Sequence, residues 1–267
     1  MICGIDNLGL CLVDALTNGF LGFLSLASAP FLGLIKQFLT ENIGINAFLD
    51  IWATIVYILS MFYGLFLIWI GLNFIVSGES PEKREKAKSN LKDTIIMMVL
   101  IQGSYSLYQL FLGISSALTN VIFSMISTNF FTLPLGSFYN TGFDLFFGIA
   151  YVLHLVVVLI LVLLRYLFVS FGVVFFPIGI FFYFISPLNK YGKLILNALG
   201  VLVFLPFFYS LMFLIGSRLS ELSQFSELKS LIMVGALDMI ILSTFLLMLF
   251  VIVKATAKVK GVVKLLK

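Results

Sequence analysis

The sequence predicts an all-α, polytopic integral membrane protein. About five transmembrane helices are expected, with an N-terminal amphipathic interfacial helix and one segment that dips into the bilayer and returns. Three observations carry this. The 267-residue chain is 61% hydrophobic and 10% charged, where soluble domains carry about 25% charge, and its mean hydropathy is +1.17. Two apolar stretches, residues 48–76 and 94–127, flank a charged insert at 77–93. Each is long enough, at about 1.5 Å per helical residue, to cross roughly 30 Å of hydrocarbon. Finally, ten of the 16 basic residues fall in the insert and the C-terminal tail, the asymmetry that sets orientation in membrane proteins.

Residues 1–47 read as an interfacial prefix. The start Met1 to Asn7 has no positive n-region of a signal peptide, so nothing marks it for removal. Cys3 and Cys11 read as ordinary small apolar residues, with pairing as the alternative. Leu8 to Ser28 carries Asp14, Asn18, Gly22 and Ser25 on one face and ends at Ala29-Pro30. That amphipathicity suits a helix lying in the outer interface, with a second short piece from Phe31 to Thr40. A crossing by residues 8–28 is the open alternative.

Residues 48–127 form a membrane hairpin with a water-facing cap. In its first arm the ionisable side chain is Asp50, Trp52, Tyr57, Tyr63 and Trp69 read as packing and interface anchors, and Ser60 and Gly64 make a small-xxx-small contact face. The cap reads as a short helix of its own. Ser80 suits the N-cap, Pro81 the first helical position and Glu82 the positive end of the dipole. Glu79 to Lys83 and Glu82 to Lys86 have i to i+4 spacing. Acids nearly balance bases here, so Lys83, Arg84, Lys86 and Lys88 read either as a solvated insert that anchors orientation or as a cytoplasmic protein-contact surface.

The second arm carries the sharper pattern. Gln102, Ser106, Gln109, Gly113, Ser116, Asn120, Ser124 and Ser127 recur at steps of three and four, so one helix face is polar or small from end to end. A polar side chain in hydrocarbon needs a partner or water. The row is therefore expected to face other helices or to line a conduit, and both readings are open.

Residues 128–142 have no Lys or Arg and are expected outside. Residues 194–216 and 230–253 read as two further spans, which leaves 143–185 to supply one net crossing. The break is expected at Phe176-Pro177-Ile178-Gly179, after one long helix to about residue 174. The piece from 175 to 185 then re-enters and returns to the cytoplasmic side. The result is five spans, N-terminus out and C-terminus in. Four regions follow: the prefix 1–47, the hairpin 48–127 with its cap at 77–93, the helices of 143–253 broken near Pro177, and the basic tail 254–267. Lys254, Lys258, Lys260, Lys264 and Lys267 of the tail do not share one helix face. This fits snorkelling into anionic lipid better than tracking a phosphate backbone, with transient DNA contact as the alternative.

Ionisable groups inside spans are the functional suspects of a membrane protein, and here they are Asp144, His154, Arg165 and Asp238. His154 and Asp238 lie at similar depth, on the order of 12 to 17 Å from the outer edges of their helices, and make the intramembrane polar pair to suspect. A structural hydrogen bond and a proton relay are both open to it. Arg165 is expected to snorkel to the inner surface or to face a cavity. No Cys/His cluster and no Walker, Rossmann or EF-hand pattern occurs, and the single histidine leaves little for a conventional catalytic site. A non-enzymatic chain with no metal and no cofactor is expected.

The run Gly71 to Gly78, then Pro81-Glu82-Lys83-Arg84-Glu85-Lys86-Ala87-Lys88, then an apolar helix from Thr94, resembles the helix, charged loop, helix unit of membrane subunits in type IV secretion and conjugation systems. Five spans with N-out, C-in topology is similar to the polytopic TrbL-like subunit of those machines and to the multi-pass component of archaeal Ced-type DNA importers. The resemblance implies a subunit of a channel moving DNA or protein, working with a cytoplasmic ATPase and other secretion subunits, and self-associating. It implies no catalytic residue. A stand-alone transporter or channel for small solutes or ions is the rival, and would need a midplane site built from broken helices, for which Pro177 and Pro206 are candidates.

Overall fold

In hydrocarbon every backbone N–H and C=O must be bonded within the protein, and uninterrupted apolar runs with few turn residues meet that requirement as helices. The computed structural model describes residues 8–41, 43–76, 80–132 and 141–265, and among them there is no strand. The helices are α1 (Leu8–Thr40), α2 (Leu49–Val76), α3 (Pro81–Gln102), α4 (Ser104–Ser124), α5 (Thr141–Phe184), α6 (Asn189–Ser220) and α7 (Lys229–Leu265). Short 3₁₀ turns at Ile45–Phe48, Thr128–Phe131 and Ser223–Leu228 join some of them. The protein has an all-α, polytopic membrane fold.

Among the described residues, six helices are long and apolar enough to cross a membrane: Ala15–Thr40, Ile45–Val76, Ser104–Ser124, Leu145–Phe184, Asn189–Ser220 and Lys229–Phe250. The sixth is α1, expected as an interfacial helix ending at Pro30. Instead α1 runs through Pro30 to Thr40. The expected break near Pro177 is also absent, since α5 continues through it to Phe184 and residues 175–185 are helix rather than a re-entrant piece. The physical reason is the same at both prolines. An internal proline removes one backbone hydrogen bond and crowds one carbonyl, whereas opening the helix in an apolar medium would strand several groups.

The hairpin differs from expectation at its cap. Ser80 is the N-cap and its side chain accepts from the Lys83 N–H, with Pro81 first in the helix. The helix then runs from the charged insert into the apolar stretch as far as Gln102, because no breaker intervenes. The interruption falls instead at Gly103, whose ψ of 0° leaves helical geometry, beside a Gly-Ser pair of the kind that kinks helices.

The chain divides into two compact units that alternate along the sequence: Met1–Glu41, Ser115–Arg165 and Leu205–Phe250 form the first, and Asn42–Ile114, Tyr166–Phe204 and Val251–Lys267 the second. The first unit has an apolar core of Leu155, Val158, Val162, Phe213, Leu237 and Ile240, with Tyr151 and Tyr209. The Ser127–Thr132 turn is pinned into this unit. Ser127 N–H donates to Ser217 Oγ at 3.2 Å, Tyr151 Oη–H donates to the Phe131 carbonyl at 3.2 Å, and Lys229 Nζ donates to the Asn129 carbonyl. Phe130 is buried.

In the second unit α2 packs on α3, around Val56, Leu59, Met97, Ile101, Ile180 and Phe181. A second cluster forms around Tyr108, Leu112, Val169, Val173 and Val203. A cavity of about 490 Å³ in this unit is lined by apolar side chains, among them Leu100, Phe111, Phe176, Leu199 and Phe204.

Candidate functional site

α4 has two polar rows, and the chain uses them differently. Ser104, Tyr108, Leu112, Ser115 and Thr119 recur at helical spacing and are all buried. Ser104 is held at both ends: Trp52 Nε1–H donates to its Oγ at 2.8 Å, and its hydroxyl donates to the Ile101 carbonyl at 2.7 Å. Tyr108 Oη–H donates to the Val169 carbonyl at 2.7 Å. This row ties α4 to its own chain.

The other row is the one read from the sequence. Ser116 Oγ–H and Asn120 Nδ2–H donate to the Thr40 carbonyl at 2.7 and 3.0 Å. Thr40 ends α1, so these side chains satisfy one of the carbonyls that a helix C-terminus leaves open. Nearer the start of α4 the picture changes. Gln102, the last residue of α3, and Ser106 and Gln109 of α4 are exposed, and among the described residues their side chains have no hydrogen-bond partner. Gly113 is half-exposed, and a Cβ placed on it would meet no atom within 4 Å.

The basic residues of α3 all face outward. Ala87, Thr94, Met97 and Ile101 make the buried side of that helix, and Lys83, Arg84, Lys86 and Lys88 are exposed. Among the described residues none of these four joins an ion pair, including the Glu82–Lys86 pair that the spacing suggested. Arg84 and Lys88 stand one turn apart on one side of α3, while Glu82 and Glu85 point away from its packed face. The four bases therefore present a solvated surface on the same helix that enters the membrane-spanning hairpin. In the tail, the side chains of Lys258, Lys260 and Lys264, and Lys267 as a whole, lie outside the described residues, as does the side chain of Asp144.

His154 and Asp238 lie together. Nε2 is 2.8 Å from Asp238 Oδ1, and Nδ1 faces the Ala150 carbonyl one turn earlier. The imidazole is thus held at both ring nitrogens, by the backbone of its own helix on one side and by the Asp238 carboxyl on the other. Side-chain exposure is 30% for His154 and 56% for Asp238, on a surface where Leu153, Met239 and Leu242 are also exposed.

Arg165 does not snorkel: it is 6% exposed, and its guanidinium acts electrostatically on the Tyr209 hydroxyl. Because α5 runs on to Phe184, Arg165 sits mid-helix instead of near an end. Among the described residues no group of three or more His, Cys, Asp or Glu side chains could hold a metal ion.

Residues 44–102 match the family model of the type IV secretion system pilin. The likeness is confined to this segment, well under half of the chain. The matched segment is a complete structural unit, comprising the Ile45–Phe48 turn, α2 and all of α3, and it stops where Gly103 interrupts the helix. No curated protein and no solved structure matches the chain. The matched segment carries the exposed bases Lys83, Arg84, Lys86 and Lys88 at the start of α3 and Gln102 at its end, and the open row of α4 continues directly from it. Trp52 reads as a packing anchor in the sequence, while Ser104 and Tyr108 were missed as positioning residues. The mixture of aromatic and small polar residues at helical spacing was available in the sequence, but it runs parallel to the more conspicuous glutamine row.

Proposed function

We propose that the protein is a TrbL-like, non-enzymatic membrane subunit of a conjugation-like apparatus, forming part of a channel that moves DNA or protein across the cytoplasmic membrane. The pilin-type match over residues 44–102 carries this reading, since it relates the α2–α3 hairpin to type IV secretion membrane components. The exposed polar row that continues from the hairpin supports it. So do the apolar linings of the unit 1 core and the unit 2 cavity, which favour a polar route built between subunits over one threaded through a single copy. The protein works as a homo-oligomer beside other secretion subunits. Lys83, Arg84, Lys86 and Lys88 are the docking surface for a cytoplasmic ATPase. The tail rests on anionic lipid and touches DNA at most transiently. His154 and Asp238 act as a structural hydrogen bond between α5 and α7.

The decisive experiment is an in-frame deletion in the native host. Transfer of DNA or protein between cells should be lost, with growth and small-solute uptake unchanged, and a point-charge reversal of Lys83, Arg84, Lys86 and Lys88 should give the same loss with the protein still in the membrane. Intact transfer alongside impaired solute uptake would replace this reading with that of a stand-alone transporter.

Orientation follows from the basic clusters. With α1 crossing as well, both termini and the α3 bases are cytoplasmic, and the N-terminus moves inside relative to a five-span chain. A cysteine at Ser89 should be shielded from an impermeant thiol reagent in intact cells, and one at Ser223 should react. Labelling at Ser89 from outside would invert the topology.

A further inference from the structure

We propose that the open row Ser106, Gln109 and Gly113 of α4, with Gln102 just ahead of it at the end of α3, is the seam along which α4 of one copy packs against α4 of a second copy of this chain. The inference deepens the homo-oligomer reading above and rests on it. The steps between these residues are four, three and four, the alternation that keeps one seam facing a partner in a left-handed helix pair. Its three side chains, on Gln102, Ser106 and Gln109, are all polar, exposed and unpartnered among the described residues. Lipid is a poor cover for them, because a primary amide in hydrocarbon without a hydrogen bond is costly.

Farther along α4 the same row is already in use as a polar contact. Ser116 and Asn120 bond the end of α1, and Gln102 to Gly113 continue that contact line with nothing on it. The opposite face of α4 is committed to its own chain through Ser104, Tyr108 and Leu112. One side of the helix is therefore anchored and the other is free to receive a partner.

The chemistry of the row selects a second copy as that partner. All copies share one orientation in the membrane, so parallel α4 helices meet with each residue opposite its own equivalent at the same depth. Glutamine carries both donors and an acceptor on one amide, so Gln102 and Gln109 each complete a hydrogen-bonded pair with themselves. A row of carboxylates or ammonium groups would repel itself in that arrangement. Gly113 adds the open space that lets two membrane helices approach closely.

The test is disulfide trapping of the full-length protein in its native membrane, with Cys3 and Cys11 replaced by serine and one cysteine introduced at Ser106, Gly113, Leu110 or Leu118. On mild oxidation, dimers should form at Ser106→Cys and Gly113→Cys and stay near background at Leu110→Cys and Leu118→Cys. Adding Gln109→Leu to Ser106→Cys should lower the dimer yield roughly three- to tenfold, the range expected for losing an interhelical hydrogen bond in a membrane. Equal yields at all four positions overturn the seam. Rapid labelling of Ser106→Cys and Gly113→Cys by a small water-soluble methanethiosulfonate, with no dimer formed, also overturns it and assigns the row to a water path. The mass of the detergent-solubilised protein separates the two levels of the argument. An oligomer without trapping at Ser106 and Gly113 removes the seam alone, and a monomer in both measurements removes the homo-oligomer as well.

Discussion

Replacing Gly192 by alanine should be among the most damaging single-methyl changes in this protein. Gly192 lies in the first turn of α6, where the chain has just reversed from α5 through residues 185–188. A Cβ added there would stand 2.2 Å from the Tyr183 nitrogen, 2.6 Å from the Tyr183 Cα and 2.7 Å from the Gly179 carbonyl oxygen. All three atoms are backbone, so no rotamer change can make room and the α5–α6 crossing must open. The reversal itself is held by Leu188 N–H donating to Ile185 O at 2.9 Å and by Asn189 Nδ2 donating to Tyr183 O. Widening the crossing strains these bonds too. Overpacking of this kind costs about 3 kcal/mol, and the expected result is a clear fall in thermal midpoint of the purified protein in detergent. Gly200→Ala is the control. It sits in the same helix with no atom within 4 Å of a new Cβ, and should be neutral or gain a few tenths of a kcal/mol from helix propensity. Equal midpoints for the two variants would mean that the α5–α6 crossing is looser than its backbone distances imply.

The close crossing bears on what was legible in the sequence. Apolar length, the charged insert and the Ser80-Pro81 start of α3 were all readable, because span length and cap chemistry are local. Pro30 and Pro177 misled in the same direction, since a breaker in water is tolerated inside an apolar helix. That single misreading propagated. Ending the third helix near residue 174 put Arg165 close to the membrane surface, whereas the full length of α5 places it mid-helix, where it is buried. The cap helix failed for the complementary reason: charge ends at Asp93, but nothing in the backbone requires the helix to end with it.

The candidate site was legible in period but not in assignment. Spacing identified the row of Gln102, Ser106, Gln109, Gly113, Ser116 and Asn120 as one face of a helix, and depth counting drew attention to His154 with Asp238. Which of the two polar rows of α4 turns inward depends on partners far away in sequence. Ser104 goes in because Trp52 reaches it, and Tyr108 goes in because Val169 offers a carbonyl. The division of the longer row into a half bonded to Thr40 and a half left open likewise depends on where α1 ends. No local pattern encodes that.

The inward row gives the last expected result. Gly172 on α5 lies against Tyr108 so closely that a Cβ would be 2.1 Å from Tyr108 Oη, 2.8 Å from Cζ and 3.0 Å from Leu199 Cδ2. Tyr108 is 1% exposed and its ring also packs on Phe176, with centroids 5.4 Å apart, so it cannot swing away. Gly172→Ala should therefore displace Tyr108, break its bond to the Val169 carbonyl and cost about 2 to 3 kcal/mol. Tyr108→Phe alone removes that hydrogen bond and should cost about 1 kcal/mol. In the double variant the hydroxyl is no longer in the way and the ring is free to shift by a few tenths of an ångström. The two changes should then be sub-additive by about 1 kcal/mol or more, as expected of residues in direct contact. Strict additivity would show that Gly172 and Tyr108 do not meet. Because Tyr108 lies on the opposite side of α4 from Ser106 and Gln109, Gly172→Ala should also turn the open row. Dimer trapping at Ser106→Cys should fall in the single variant and recover in the double. A stability defect without that fall would separate the anchoring of α4 from the presentation of its polar face.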